Sequence, residues 1–176
     1  EKIRFFLDEE FKRTGHRNAY FPCIITDKFL EKEKEHVAGF KPEVFWITEA
    51  GDEKLTEKYA LRPTSETIIY DSYSRWVRSW SDLPVLINVW ANVFRAETKM
   101  TKLFLRTREF LWQEGHTCHA TMQETDKEVN MILDIYKKLA EEILAIPVIV
   151  GIKTDINYLS FFLDKPKTRN LSLILM

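Results

Sequence analysis

The chain contains few glycines, few cysteines and no long apolar run, and each shortage excludes a class of protein. Only 5 of its 176 residues are glycine and only 2 are cysteine. Cys23 and Cys118 lie far apart without a C-x-x-C pair, and the 4 histidines show no H-x-x-x-H spacing. The sequence therefore predicts neither a metal site nor a disulfide framework, and a reducing, cytoplasmic location is the default expectation.

No apolar segment reaches the length of a membrane span and no cleavable apolar leader opens the chain, so we expect no membrane partner. Because the chain begins with Glu1 rather than Met, the missing leader carries little weight. The 26 Lys and Arg against 27 Asp and Glu give a net charge of −1, which neither indicates nor excludes a nucleic-acid partner. With 45% hydrophobic residues, the chain can fill the core of one sizeable domain.

The patterns that are present predict an α+β fold, in which a mainly antiparallel sheet is flanked by helices. Amphipathic helices are indicated at residues 1–14, from Thr64 to about Trp80, and at residues 125–144. In the last of these, T-x-x-E at Thr125 and Glu128 fits a capping box. A shorter charged helix is expected after Thr26. Strands are predicted at residues 18–25, 43–48, 59–63, 84–97, 104–121 and 146–152, and the tail could add one or two more.

The predicted strand from Phe104 to Thr121 carries an unusual mixture of charge and aromatic surface. Alternate residues of a strand share a face, and its even positions place these side chains on one side: Phe104, Arg106, Arg108, Phe110, Trp112, Glu114 and His116. A hairpin would bring Arg95 and Glu97 of the preceding strand beside them. Arginine binds phosphate or carboxylate with two parallel hydrogen bonds and an aromatic ring can stack on a base, so the face suits a nucleotide triphosphate. A solvated face with cross-strand Arg–Glu pairs is the alternative.

Three stretches carry a resemblance to a known family. The sequence "FRAE" (94–97) followed by "FLRTREFLWQEGHT" (104–117) resembles motif 2 of class II aminoacyl-tRNA synthetases, and more narrowly that of prolyl-tRNA synthetases of the archaeal and eukaryotic type. "LRPTSET" (61–67) is similar to the proline-binding loop of that family, and "NAYFP" (18–22) to the end of its motif 1. The resemblance covers residues 1–154 and implies a partial class II catalytic core.

The resemblance also implies roles for individual residues. Arg95 would hold the α-phosphate of ATP and the substrate carboxylate, and is the implied catalytic residue. The further ATP contacts would be Glu97, Arg106, Thr107 and Phe110. The amine of proline would bind Thr64 and Glu66, for which plain helix capping is the alternative. The proline side of the pocket would be lined by Trp112, Glu114 and His116, with Phe40, Glu43 and Val44 at its periphery.

The implied function is proline-tRNA ligase: ATP and Mg²⁺ would be used to activate proline, and the prolyl group would then pass to tRNA(Pro), in a homodimeric enzyme. Class II synthetases also need a glycine-rich motif 3, but Gly151 is the only glycine after Gly115. We therefore expect motif 3 and an anticodon-binding domain to be absent, with residues 155–176 as an unrecognised tail. We expect the chain to be truncated and inactive alone. The alternative is a catalytically silent binding or regulatory module derived from a synthetase.

Overall fold

The computed structural model describes residues 1–30, 44–96, 101–102, 107–151 and 172–175. The helices are α1 (Lys2–Arg13), α2 (Glu66–Trp76) and α3 (Met122–Lys138), with a 3-10 turn at Trp80–Asp82 and a π-helical turn at Leu139–Ile143. The strands are β1 (Arg17–Ala19), β2 (Ile24–Thr26), β3 (Trp46–Ala50), β4 (Glu53–Leu61), β5 (Val85–Phe94), β6 (Glu109–His119) and β7 (Ser172–Leu175). Residues 27–30 are also helical, directly after Thr26 as expected.

The described strands form two sheets. One has the order β1-β5-β6-β7 and the other β2-β4-β3, with β6–β7, β2–β4 and β3–β4 paired antiparallel. The tail prediction of one or two strands is met by β7, whose Ser172 pairs with His119. The mainly antiparallel α+β fold predicted from the sequence is confirmed.

The chain divides into two compact units. The helix unit comprises Glu1–Arg17, Leu83–Ile87 and His116–Met176, and the sheet unit comprises Asn18–Asp82 and Asn88–Gly115. In the helix unit, α1 packs on α3 through Phe11, whose ring meets Tyr136 edge-on at 6.2 Å. Leu7, Ile132 and Ile135 are buried with Phe11, so the apolar positions spaced three and four apart form the core.

The start of α3 corrects one prediction. The capping box is formed by Thr121 and Glu124, not by Thr125 and Glu128. Both pairs fit T-x-x-E, but Thr125 and Glu128 are 3% and 6% exposed and face the interior of the helix unit. The helix predicted at residues 125–144 also differs at its end, because the α-helix stops at Lys138 and Ile143 lies in the π-helical turn, 46% exposed.

The predicted strand at residues 146–152 is also wrong for the part that is described. Residues 145–151 adopt no regular structure, and Ala145 has a φ of +55° directly after the π-helical turn. The run is apolar, yet Ile149 is fully exposed. An apolar run has no periodicity that separates a strand from an irregular segment.

In the sheet unit, β3 and β4 form an antiparallel hairpin with Gly51 at φ +62° in the turn, and β4 begins at Glu53, earlier than the strand predicted at residues 59–63. Helix α2 begins at Glu66, two residues after the predicted start at Thr64, with Ser65 at the N-cap and no side-chain capping bond. It ends at Trp76 and does not reach Trp80 as predicted. Tyr73 is buried, but Trp76 is half exposed and Trp80 is 82% exposed.

Candidate active site of the sheet unit

Arg95 lies directly after β5 and contacts two aromatic rings of β6. The centre of its guanidinium is 5.7 Å from the ring centroid of Phe110 and 5.5 Å from that of Trp112. The two rings meet edge to face at 6.0 Å. Its Nε donates to the carbonyl of Pro63 at 3.2 Å, and its main-chain N–H donates to the carbonyl of Arg108 at 2.8 Å. A half-buried cation is thus held against aromatic surface.

The loop of residues 63–66 joins β4 to α2 and carries the second part of the site. Its Thr64 is buried, and the hydroxyl donates to the carboxylate of Glu66. Because the N-cap residue of α2 is Ser65 and no side-chain capping bond is present, Thr64 does not cap this helix. Glu66 is partly exposed at the first turn of α2, where the helix dipole favours a carboxylate.

Glu114 fixes this loop to β6. Only 4% of Glu114 is exposed, and it accepts from the Ser65 hydroxyl at 2.7 Å, the Ser65 N–H at 3.4 Å and the Trp112 Nε1 at 2.9 Å. Because a buried carboxyl group needs hydrogen bonds to offset its removal from water, three donors at one side chain make the arrangement specific. Trp112 and the loop therefore have fixed positions.

The predicted strand face is largely as expected where it is described. On β5 the odd positions Val89, Ala91 and Val93 are buried, and Arg95 continues that parity. On β6 the even positions Phe110 and Trp112 are half-buried, whereas the odd Leu111 is 87% exposed. The alternation of the sequence thus places the arginine and both rings on one side.

Six of the predicted site residues are joined by these contacts: Thr64, Glu66, Arg95, Phe110, Trp112 and Glu114. Thr107 is exposed, and its hydroxyl donates to the carbonyl of Glu109. Val44 precedes β3 and is partly buried. His116 is 1% exposed and belongs to the helix unit. Phe40, Glu43, Glu97 and Arg106 lie outside the described residues.

Sequence reasoning missed two buried residues that hold this cluster. Both Arg62 and Ser65 are fully buried, and their partners lie far away in the sequence. Arg62 donates to Asn92, and Ser65 donates to Glu114. The residue pattern gave no signal for either bond, because a Ser beside a helix start and an Arg at a strand end are ordinary.

Other features of the described residues bear on which ligands they can hold. No group of three or more His, Cys, Asp or Glu within these ranges could bind a metal ion. A groove of about 610 Å³ lies along α1 and α3 of the helix unit, lined by charges of both signs such as Glu10, Arg13, Asp126 and Lys138. None of the helices in the described residues could cross a membrane.

Residues 45–169 match the family described as the tRNA synthetase class II core domain (G, H, P, S and T). The chain belongs to this family. The match extends past residue 154, where the resemblance noted in the sequence ends. The predicted class II synthetase core is thereby confirmed.

Individual relatives of this class II core are similar to the chain over most of its length. The proline–tRNA ligase of Symbiobacterium thermophilum is 60% identical over 154 residues, which is 88% of this chain and 31% of that protein. That of Chloroherpeton thalassium is 57% identical over 155 residues, 88% of this chain and 32% of that protein. The chain thus spans about a third of the length of the curated relatives that it matches.

A solved structure supports the same likeness. The crystal structure of prolyl-tRNA synthetase from Cryptosporidium parvum, complexed with halofuginone and AMPPNP, is 46% identical with a TM-score of 0.79. It aligns over 87% of this chain and 30% of that chain. At 46% identity the likeness extends beyond the fold. The resemblance to prolyl-tRNA synthetases noted in the sequence is thus confirmed.

Proposed function

We propose that this chain is part of the catalytic domain of a proline–tRNA ligase, which activates proline with ATP and transfers the prolyl group to tRNA(Pro). The observation that carries the proposal is Arg95, held between Phe110 and Trp112 and bonded to the loop of Thr64 and Glu66. The high identity to proline–tRNA ligases supports it. A cytoplasmic location and a homodimeric full-length protein are part of the same proposal.

In the proposed first step, a carboxylate oxygen of proline attacks the α-phosphorus of ATP. A new O–P bond forms, the bond to the β-phosphate bridging oxygen breaks, and pyrophosphate leaves with that electron pair. Arg95 would bind the α-phosphate and the proline carboxylate, where its charge stabilises the negative charge that develops. Phe110 would stack on the adenine. Because both reactants are bound in place, no enzyme nucleophile is needed.

Proline binds as a secondary ammonium, so it needs an anionic partner in the pocket. We assign this part to Glu66, with Thr64 beside it, since the Thr64 hydroxyl donates to the Glu66 carboxylate. Trp112 and Glu114 would line the same side of the pocket. The Thr107 hydroxyl is engaged by a carbonyl, so its proposed ATP contact would run through the main chain. The roles of Phe40, Glu43, Val44, Glu97, Arg106 and His116 stay predictions.

In the second proposed step, the terminal ribose hydroxyl of tRNA(Pro) attacks the carbonyl of the prolyl adenylate. An ester bond forms, and AMP leaves with the electrons of the broken bond. Within the described ranges, no group of three or more His, Cys, Asp or Glu could hold Mg²⁺ by itself. In this proposal Mg²⁺ would come with ATP and would offset charge on its phosphates.

The amino-acid-dependent exchange of pyrophosphate into ATP tests the proposal. The assay uses the full-length product of the gene that encodes this sequence. Since the matched family includes enzymes for G, H, P, S and T, the five corresponding amino acids are compared in parallel. We expect exchange with proline only. Exchange with another of the five in place of proline would contradict the assigned substrate, and exchange with none would favour a catalytically silent module.

A further inference from the structure

Arg62 is the largest fully buried side chain among the described residues of the sheet unit, and every acceptor described for its guanidinium is an uncharged oxygen. Its Nε donates to the carbonyl of Asn92 at 3.0 Å, and its Nη2 approaches the Asn92 side-chain oxygen at 3.4 Å. Its Nη1 donates to the carbonyl of Phe21 at 2.6 Å and is 3.5 Å from that of Pro22. The ring of Tyr20 lies over the guanidinium at 5.4 Å. One side chain thus joins β5 to residues 20–22.

The main chain of Arg62 also bonds to the segment that follows residue 22 and to the end of β5. Its N–H donates to the carbonyl of Cys23 at 2.9 Å, and its carbonyl accepts from the N–H of Phe94 at 3.0 Å. The residue is therefore held from both sides at the point where β4 ends. The next residue is Pro63, whose carbonyl binds Arg95. Any shift of Arg62 moves the acceptor of Arg95.

General stability alone does not account for this arrangement. Burying a charged group without a charged partner is unfavourable, and well-packed apolar residues often serve a core better. A guanidinium has five N–H donors in a rigid planar fork, so it can bind several carbonyls from different segments at once. An apolar side chain or a lysine cannot reproduce that geometry.

We propose that Arg62 is a positioning residue, which sets the loop of residues 63–66 and, through the Pro63 carbonyl, the orientation of Arg95. This inference rests on the proposed function, because the loop and Arg95 are the groups assigned there to proline and ATP. Arg62 itself touches neither substrate. It fixes the positions of the binding groups before a ligand binds.

The test compares Arg62→Lys with Arg75→Lys in the full-length protein. Arg75 is exposed on α2 and pairs with Asp71, so its replacement is the matched control. Lysine keeps the positive charge but lacks the planar set of five N–H donors. The variant therefore separates the effect of hydrogen-bond geometry from that of charge. In pyrophosphate exchange we expect Arg62→Lys to raise the KM for proline about tenfold, since small misplacements of binding groups weaken substrate binding strongly. Arg75→Lys should change it by less than about twofold.

A purely structural role predicts a different result. Loss of folded protein lowers kcat in proportion to the inactive fraction and leaves KM unchanged, and that outcome would overturn the proposal. Amide hydrogen exchange supplies a readout that does not depend on activity. In Arg62→Lys the N–H groups of residues 64–66 should exchange about tenfold faster while those of α1 keep their rates. Unchanged exchange at residues 64–66 would also overturn it.

The two proposals can fail separately. If the wild-type protein shows no proline-dependent exchange, the proposed function fails, and the hydrogen-exchange comparison still decides the role of Arg62. Where Arg62→Lys does not fold, Tyr20→Leu takes its place, because Tyr20 is 71% exposed and its replacement should leave the fold intact. Removing the ring from the guanidinium should raise the proline KM and speed exchange at residues 64–66, each by about threefold. No change in either would contradict the positioning role.

Discussion

The sheet unit and the helix unit both bury polar side chains, but the two units differ in how these side chains are hydrogen-bonded. In the sheet unit Ser65 donates to the buried carboxyl group of Glu114, and Arg62 donates to the carbonyls of Phe21 and Asn92, so these bonds join segments that lie far apart in the sequence. Each of them involves a residue in or beside the loop that bears Thr64 and Glu66. The polar interior of this unit therefore fixes the candidate site.

In the helix unit the buried polar groups are less well matched. His16 Nε2 lies 2.8 Å from a carboxylate oxygen of Glu128, yet the two are not aligned as a hydrogen bond. The Thr117 hydroxyl and His119 Nε2 are buried without a hydrogen-bond partner among the described residues. Burial lowers the pKa of His119, although Glu128 and Glu124 favour its charged form. Here α1 and α3 are joined both by the Lys138–Glu10 ion pair at 3.1 Å and by the apolar packing of Phe11 on Tyr136.

Burial of a polar group therefore does not by itself mark a functional site, since the sheet unit also buries the Thr67 hydroxyl without a hydrogen-bond partner among the described residues. Ser65 and Glu114 differ from the unpartnered groups of the helix unit because their hydrogen bond fixes the loop that carries the ligand-binding candidates. Substitutions in each unit test this difference.

The largest effect is expected for Arg95→Ala in the sheet unit. Removing a cation that faces developing charge should lower kcat/KM for proline-dependent pyrophosphate exchange about hundredfold or more, as for other preorganised charge-stabilising groups. Arg78→Ala, at an exposed arginine after α2, is the matched control and should leave the rate within about twofold. Similar losses in both variants would mean that Arg95 acts through general charge and not through the site.

The next largest effect is expected for Glu66→Gln. It removes the charge assigned to the ammonium of proline but keeps an oxygen that can accept from Thr64. A hydrogen bond to a charged group contributes about 1.5–3 kcal/mol, so the proline KM should rise by at least about tenfold while that of ATP changes little. Glu53→Gln, at an exposed position of β4, should change neither. An equal rise in both KM values would show that Glu66 supports the loop in general and does not bind the proline ammonium.

A smaller effect, on stability, is expected for Ser65→Ala. It removes the hydroxyl that donates to the buried carboxyl group of Glu114 at 2.7 Å. Leaving a buried acceptor with one fewer donor should lower the free energy of unfolding by about 1–3 kcal/mol, measured by urea denaturation.

The matched change in the helix unit is Thr117→Val, which removes a buried hydroxyl that lacks a partner among the described residues. Because no hydrogen bond is lost there, its free energy of unfolding should stay within about 1 kcal/mol of the wild-type value or rise. Equal destabilisation by the two substitutions would remove the contrast between the units.

Local patterns in the sequence predicted much of the fold and one face of the site. Period-two alternation placed Arg95, Phe110 and Trp112 together, because strand geometry alone decides which residues share a face. Helix α1 and the β3–β4 hairpin follow from equally local signals, namely apolar spacing and Gly51 in the turn. These features need no knowledge of distant contacts.

The remaining features depend on distant contacts. Two T-x-x-E patterns begin near α3, and only packing decides that Thr121 is the cap while Glu128 faces the interior. The bonds of Arg62 to Asn92 and of Ser65 to Glu114 join segments separated by 30 and 49 residues. No window of sequence contains both partners, so neither role could be predicted.

The smallest effect concerns pH and the helix unit. The pKa of His119 lies below its ordinary value of 6.5, chiefly because burial disfavours the charged form. The unfolded chain therefore binds this proton more readily than the folded one. His119 supports stability fully above pH 6.5, and that contribution is lost as the pH falls from 6.5 toward the lowered native pKa.

We expect the free energy of unfolding to fall less with decreasing pH in His119→Asn than in the wild-type protein. Urea unfolding of wild type and variant at about pH 7.5 and about pH 5.5 measures the difference, since carboxyl groups titrate mostly below this window. The groups that face His119 are His16, Glu124 and Glu128. An equal fall in the free energy of unfolding for both proteins would show that the buried His119 is not the source of acid sensitivity in the helix unit.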